Sequence, residues 1–354
     1  MEAFQKNGSQ YIESLIKGAV ADGSRTAVVT GNWLIGTAIR IPSDFVLILD
    51  GCHLKMTDGC FSNLFVNEHH DTPVGRTLAG TDRNIRILGR NGAILDGGNY
   101  NGLSEKNQGR DGMPPIWKNN LILFTNVEGF EMGGFACHNQ RWWAMNFLFC
   151  GNGHLHDLEF QACDIGISPD GQPYHGLQRE KYDEVLVKNA DGIDLRQGCH
   201  DILIENITGF TEDDTIALTG LCGIVEKAFA VAGASTDICR VTIRNVRAAA
   251  FCTIVRLLNQ SGVKLYDILV DGVFDTASEC EKLDRGLYAV RVGDKYLYGS
   301  RHSTEEETYN ITIRNVCGGG DYVLVLAGSI GNLALEDILP IGDTPTLWDR
   351  RKEV

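Results

Sequence analysis

The chain has 354 residues, 43% of them hydrophobic and 22% charged, with 41 glycines against 8 prolines. Such a length exceeds what one globular core usually fills unless the fold is a repeat, and the glycine excess points to frequent tight corners. A net charge of −14, with no Lys/Arg run carrying interleaved aromatics, excludes nucleic acid as the main partner and reads as a solvated acidic surface.

The first residues, Met1 to Gly8, lack the basic-then-apolar pattern of a signal peptide, and no stretch of about 18 apolar residues follows. No membrane partner is expected, and the expected location is cytoplasmic. Residues 1–30 read as a cap region in which Glu13 to Ala21 forms a short helix over the open end of a solenoid, because a terminal coil needs a cover. Trp33 to Ile41 and Phe45 to Cys52 read as the first strands of a single domain whose coils occupy 31–345, leaving 346–354 as a tail. The 11 cysteines include no C-x-x-C pair and no zinc-type spacing, so they read as buried free thiols in a reducing compartment. No cofactor and no metal are expected.

One phrase recurs: a polar residue, then Ile/Val/Leu alternating with other residues, then Asn/Asp/Gly and a final apolar residue. It starts at Asp201, Arg240, Asp267, Asn310 and Asn332, at intervals of 39, 27, 43 and 22 residues. These intervals fit one coil of a little over 20 residues that is sometimes doubled or carries an insertion. Period-two alternation marks a strand with one buried face, which a lone strand cannot bury; coils stacked ~4.8 Å apart can. The Asn and Asp at the sixth place fit a side-chain ladder at a bend. Asn206 and Asn310 head glycosylation sequons, yet the corner reading is preferred for both. Polar or Gly-rich insertions at 99–119, 168–181 and 277–308 suit loops around a cleft.

The chemistry concentrates in Asn189-Ala-Asp191-Gly-Ile-Asp194 and Glu212-Asp213-Asp214-Thr-Ile-Ala217. Asp191 and Asp213 lie 22 residues apart, which reads as one coil and stacks them on one wall with Asp214 beside them. Stacked carboxylates repel, and a solenoid has no structural need for them. Crowding raises the pKa of at least one member and leaves an acid beside an ionised base, the pairing that glycoside hydrolysis requires. A single aspartate here would be a corner residue; three at this spacing point to catalysis.

These motifs resemble the polygalacturonase family of glycoside hydrolases, whose pattern is Asn-Thr-Asp-Gly-Ile-Asp, a strand phrase, then Gly-Asp-Asp-x-Ile-Ala. The resemblance extends to Trp33–Lys55, to Gly89–Gly98 and to Arg141-Trp-Trp143 through Cys150. It implies an all-β, single-stranded right-handed parallel β-helix that hydrolyses a glycan with inversion. Asp214 would be the general acid, with Asp191 and Asp213 holding and deprotonating the water. It further implies an oligosaccharide or polysaccharide substrate, with Arg256 and Asp194 as binding residues and Trp143 structural, which leaves Trp142 as the aromatic face on which a sugar ring would stack and His175 as a loop residue for binding. Two departures stand out. No histidine lies between Leu221 and Arg240 where the family has Gly-His-Gly, and its Arg-Ile-Lys is reduced to Arg256-Leu-Leu258. Half of the basic pair that grips a uronate is therefore missing, which favours another sugar linkage; His175 and Lys227 are loop residues that could substitute. Glu212 adds an acid where the family has glycine. Two other readings stay open: a Ca²⁺-dependent polysaccharide lyase with Arg256 as base, and a non-catalytic, tailspike-like glycan-binding β-helix. Self-association is not decided.

Overall fold

A strand with one apolar face is stable only when another element covers it, and here the cover is the next turn of the same chain. The computed structural model describes residues 3–99, 115–140, 142–162, 165–167, 173–175, 190–260, 262–281, 283, 285–293 and 303–351. Its strands pair in parallel, each with its counterpart in the coils before and after, and form three walls around one axis. The first wall runs from Thr26–Val29 through Phe45–Asp50 to the first half of Gly331–Pro340. The second begins with Asn32–Ile35 and His53–Met56, and the third with Ile39–Ile41 and Phe65–Asn67.

Register turns sequence patterns into columns. Phe45, Ile85, Phe130, Gly153, Ile202, Val241, Ile268, Ile311 and Leu333 lie successively over one another on the inner face of the first wall. Gly153 breaks this apolar series for a reason. A Cβ there would lie 2.1 Å from the Phe130 ring, which stacks on Phe147 with centroids 5.0 Å apart.

The recurring phrases pair Ile202 with Val241, Val241 with Ile268, Ile268 with Ile311 and Ile311 with Leu333. Each interval, including those of 39 and 43 residues, is thus one coil and none is doubled. The surplus leaves the solenoid at the ends of the third wall. Residues 221–237, with the helix Ile224–Ala228, fill one such gap. Much of the expected insertions at 99–119, 168–181 and 277–308 lies outside the described residues, as do Cys163 and Asn189.

Between the first and second walls most coils turn through one residue in the left-handed region. Asp157, Asn206, Asn245, Asn315 and Asp337 occupy it, all with φ between 50° and 57°. Asn and Asp tolerate this conformation better than other side chains. The Asn206 Nδ2 donates to Asp157 Oδ1 at 2.9 Å, and the Asn245 Nδ2 to Asn206 Oδ1 at 2.6 Å. A second column, at the start of each phrase, includes Asn310 Nδ2 donating to Asp267 Oδ1 and Asn332 Nδ2 to Asn310 Oδ1. Both sequon asparagines are therefore corner residues.

The boundaries differ from the sequence reading. The cap helix spans Gly8–Ala21, starting before Glu13, because Gly8 sits where a Cβ would lie 2.7 Å from Trp33 Cβ, and Ser9 Oγ accepts the Gly36 and Thr37 N–H groups. Coils begin at Thr26 rather than 31. They run past 345, since Leu347–Asp349 pairs with the strand Tyr322–Leu326. The ten described cysteines are all free thiols; five are buried, four partly buried, and Cys222 is exposed.

The Asn ladder carries a prediction. Asn245→Ala loses both the ladder bond and a side chain suited to positive φ, and is expected to cost about 1–3 kcal/mol in chemical denaturation. Asn245→Gly, which recovers only the backbone conformation, should fall between Ala and the parent protein. Equal stability of all three would show that the ladder adds nothing.

Candidate active site on the third wall

The third wall differs from the first. Strands of the first wall alternate buried and partly exposed residues, whereas Ile216–Gly220 and Thr253–Asn259 are buried at every position. Both faces of this wall are covered, yet its outer face carries charge. The outer column runs Asn146, Asp194, Ala217, Arg256 and Arg291 in successive coils. Buried charges are rare unless paired or used, so this column marks the candidate site.

Ile193 pairs with Ile216 and Leu195 with Leu218, an offset of 23 residues. Asp191 therefore stands beside Asp214, not beside Asp213 as a 22-residue coil implied. A shift by one residue would set Ile193 against Thr215 and turn its apolar set away from the core. The Asp214 backbone N–H donates to Asp191 Oδ1 at 3.1 Å, and the Gly192 N–H to the Asp214 carbonyl at 3.0 Å.

The acids act on one another. Burial, then the charges of Asp194, Asp213 and Asp214, push the Asp191 carboxyl well above the usual carboxylate range. Burial likewise pushes Asp194 up to about 7 against the pull of Arg196. Asp214 is raised by burial although Arg256 opposes it, with Arg256 Nη1 standing 3.4 Å from Asp214 Oδ2. The group is thus not fully ionised near neutrality, and its protons belong to the cluster rather than to one residue. Asp214 Oδ1 and both side-chain amide atoms of Asn146 are buried without a hydrogen-bond partner among the described residues. Unmatched polar atoms in a buried wall are what a site for a polar ligand requires.

The remaining expected residues divide. Asp191, Asp194, Asp213, Asp214 and Arg256 come together, and Glu212 is buried in the turn before Asp213. Trp142 is no platform. It is 3% exposed and packs in a satellite cluster with Trp143, Phe149, Val225 and Phe229, beneath the 221–237 segment. Trp143 is covered on one face by the Arg196 guanidinium, 3.8 Å from its ring centroid. His175 belongs to a two-stranded hairpin in which it pairs with Ile165, and its side chain lies outside the described residues. Lys227 sits exposed on the short helix, which instead sends Glu226 inward to Arg196, Nη1 to Oε1 2.5 Å.

Three site residues escaped the sequence reading: Arg196, Glu226 and Arg291. For Arg291 a signal existed, since Ala289-Val-Arg-Val292 repeats the pattern of Ile254-Val-Arg-Leu257 and stacks Arg291 over Arg256. The pair Arg196–Glu226 joins a strand to a loop helix, a contact that no local pattern announces.

A pH test follows from the raised carboxyls. The folded protein holds protons that the unfolded chain releases near 3.8, so this contribution to stability is lost as pH rises from about 4 to about 7. In Asp194→Asn nothing titrates at that position, and the melting temperature is expected to fall less across the same interval. Parallel curves for variant and parent would show that Asp194 titrates normally.

No protein-family model matches the chain, and no curated protein matches it in sequence. Solved structures do. The tailspike protein of E. coli bacteriophage HK620 in complex with pentasaccharide superposes with a TM-score of 0.56 at 12% identity, over 96% of this chain and 61% of that one. The chain thus spans about three-fifths of the tailspike's length. A 1,3-alpha-1,4-beta-D-galactose-4-sulfate-3,6-anhydro-D-galactose-2-sulfate 4 galactohydrolase gives 0.59 at 11% identity, over 96% and 86%. An exopolygalacturonase from Thermotoga maritima gives 0.53 at 11%, over 95% and 88%. With this likeness, the stacked parallel walls establish the fold: the chain is a right-handed parallel β-helix.

Proposed function

We propose that this chain is a glycoside hydrolase that cleaves an oligosaccharide or polysaccharide with inversion at the third wall. The observation that carries the reading is the pairing of Asp191 with Asp214 in adjacent coils, inside a buried group that includes Asp194 and Asp213. Like charges stacked in a buried wall destabilise a solenoid, and a cluster that retains a proton near neutrality can supply both an acid and a base. Asp214 gives its proton to the leaving oxygen. Asp191 and the more exposed Asp213 hold the water and accept its proton, as the motif resemblance assigns. Asp194, below Arg256 in the outer column, helps keep the proton within the group.

Arg256 and Arg291, one coil apart, supply a basic pair where the motif lacks its lysine. Two guanidiniums suit a sugar carrying a carboxylate or sulfate. The sulfated-galactan and galacturonan names of two structural neighbours, and the pentasaccharide held by a third, support an acidic or neutral glycan as partner. The free thiols support a reducing, cytoplasmic location, hence work on imported oligosaccharides.

Kinetics on a panel of plant and host glycans test the roles. Asp214→Asn is expected to lower kcat about 10²–10⁴-fold. An activated aryl glycoside, whose leaving group needs little protonation, should recover part of that loss but little of the loss in Asp191→Asn or Asp213→Asn. Wild-type rates in all three would make these aspartates corner residues. EDTA should leave hydrolysis unchanged; an unsaturated product lost with the chelator would signal a lyase, and binding without any product a glycan-binding protein.

Arg256→Ala and Arg291→Ala are each expected to raise KM about 10–100-fold on an acidic glycan, with a smaller effect on kcat. An unchanged KM would remove that arginine from the substrate site.

A further inference from the structure

On the first wall, away from the carboxylates, the outer face carries a second chemical cluster. His154 and His156 alternate with the buried Leu155 along Met145–Gln161 and so share that face. Glu131 is the partner of His154 in the preceding coil, and Gly133 the partner of His156. A Cβ at Gly133 would lie 2.7 Å from the His156 ring, so the ring occupies space that any other residue would fill. From there His156 Nε2 faces Glu131 Oε1 at 3.4 Å; that nitrogen is buried and makes no hydrogen bond among the described residues.

We propose that Glu131, His154 and His156 form a binding site for a borderline transition-metal dication such as Zn²⁺. One ligand atom from each of the three lies within 4.8 Å of the other two. Ligation at about 2.0–2.2 Å needs only a modest contraction of that triangle. One nitrogen of each ring is already held by a carboxylate. His156 Nδ1 is bonded to Asp157 Oδ2 at 2.7 Å, and His154 Nε2 to Glu205 Oε1 at 2.8 Å. Both holders are anchored in turn, Asp157 by Asn206 and Glu205 by Arg244. A carboxylate on the far nitrogen fixes an imidazole's tautomer and raises its basicity as a ligand. Glu131 is likewise set, because Arg86 Nε engages Oε2 at 3.1 Å while Oε1 points at His156.

The neighbouring column gives the electrostatic reason. From Glu205 the outer face continues Arg244, Asp271, Arg314 and Glu336, acid and base in alternation. Glu205 lies over His156 in this column and Glu131 under His154 in the next, so the two imidazoles stand between two acids, where a dication would be stabilised. Oxygen-seeking Ca²⁺ and Mg²⁺ do not suit a site that is two-thirds nitrogen.

The test is titration of EDTA-stripped full-length protein with Zn²⁺ alone, followed by calorimetry and thermal melting, with Ca²⁺ as control. The expected result is one saturable Zn²⁺ site of micromolar or tighter affinity and a raised melting temperature, with no response to Ca²⁺. His156→Ala and Glu131→Gln should each weaken binding about tenfold or more, as should Asp157→Asn, which touches no metal. Glu131 and His156 lie on the outer face and Asp157 at the adjoining corner, and circular dichroism checks that each variant folds. Asp191→Asn should bind Zn²⁺ as the parent does. No saturable binding by the parent protein would overturn the proposal. So would unchanged affinity in both His156→Ala and Glu131→Gln, or loss of binding in Asp191→Asn, which would place the ion at the third wall.

Discussion

Parallel pairing between successive coils is the constraint from which the other features follow. It sets every residue above its counterpart ~4.8 Å away, so whatever one coil places at a position the next must tolerate at close range. Inside, the answer is apolar: Ile202, Val241, Ile268 and Ile311 follow one another in one column. At the corners it is Asn and Asp, whose amides and carboxylates bond to the residue in the next coil and whose backbones accept positive φ. On the outer face of the first wall it is alternating charge, with Arg244 on Glu205 and Arg314 on Asp271. Pairs of this kind contribute little singly when exposed, but the alternation removes the repulsion that identical charges would impose.

The third wall breaks that pattern. Asp191 stacks on Asp214 with no intervening cation, and the compensating arginines lie along the next outer column. The wall is also where surplus chain leaves the solenoid, since 68–81 and 221–237 both join it to the first wall. Those two segments touch: Thr77 bridges Ala232, and Arg76 accepts the Ala232 N–H at its carbonyl. Val225, Phe229 and Val231 of the second segment pack in one cluster with Trp142 and Trp143. The corner between the first and second walls stays short, with no more than a few added residues, as between Leu88 and Ala93. A cleft on this scaffold therefore belongs beside the third wall, where loops can be lengthened without disturbing pairing.

Electrostatics and burial act together there. Burial alone raises each carboxyl, mutual repulsion raises Asp191 further, and Arg256 and Arg196 draw Asp214 and Asp194 back down. The two influences oppose each other, and the raised carboxyls stand beside arginines.

Much of this was legible in the sequence, because it depends on local chemistry. Period-two alternation identified the strands, Asn206 and Asn310 the corners, and Asp-Gly-Ile-Asp followed by Asp-Asp the acidic site. What only the tertiary structure decided was register and cover. Distance along the chain does not equal distance along the axis, since loops absorb any number of residues. Thus 39 and 43 residues make single coils, and Asp214 rather than Asp213 stands over Asp191, because Ile193 must meet Ile216 to keep its face in the core. For the same reason Arg291 meets Arg256, Glu226 reaches Arg196, Trp142 lies buried beneath a loop, and Glu131 faces two histidines of the next coil.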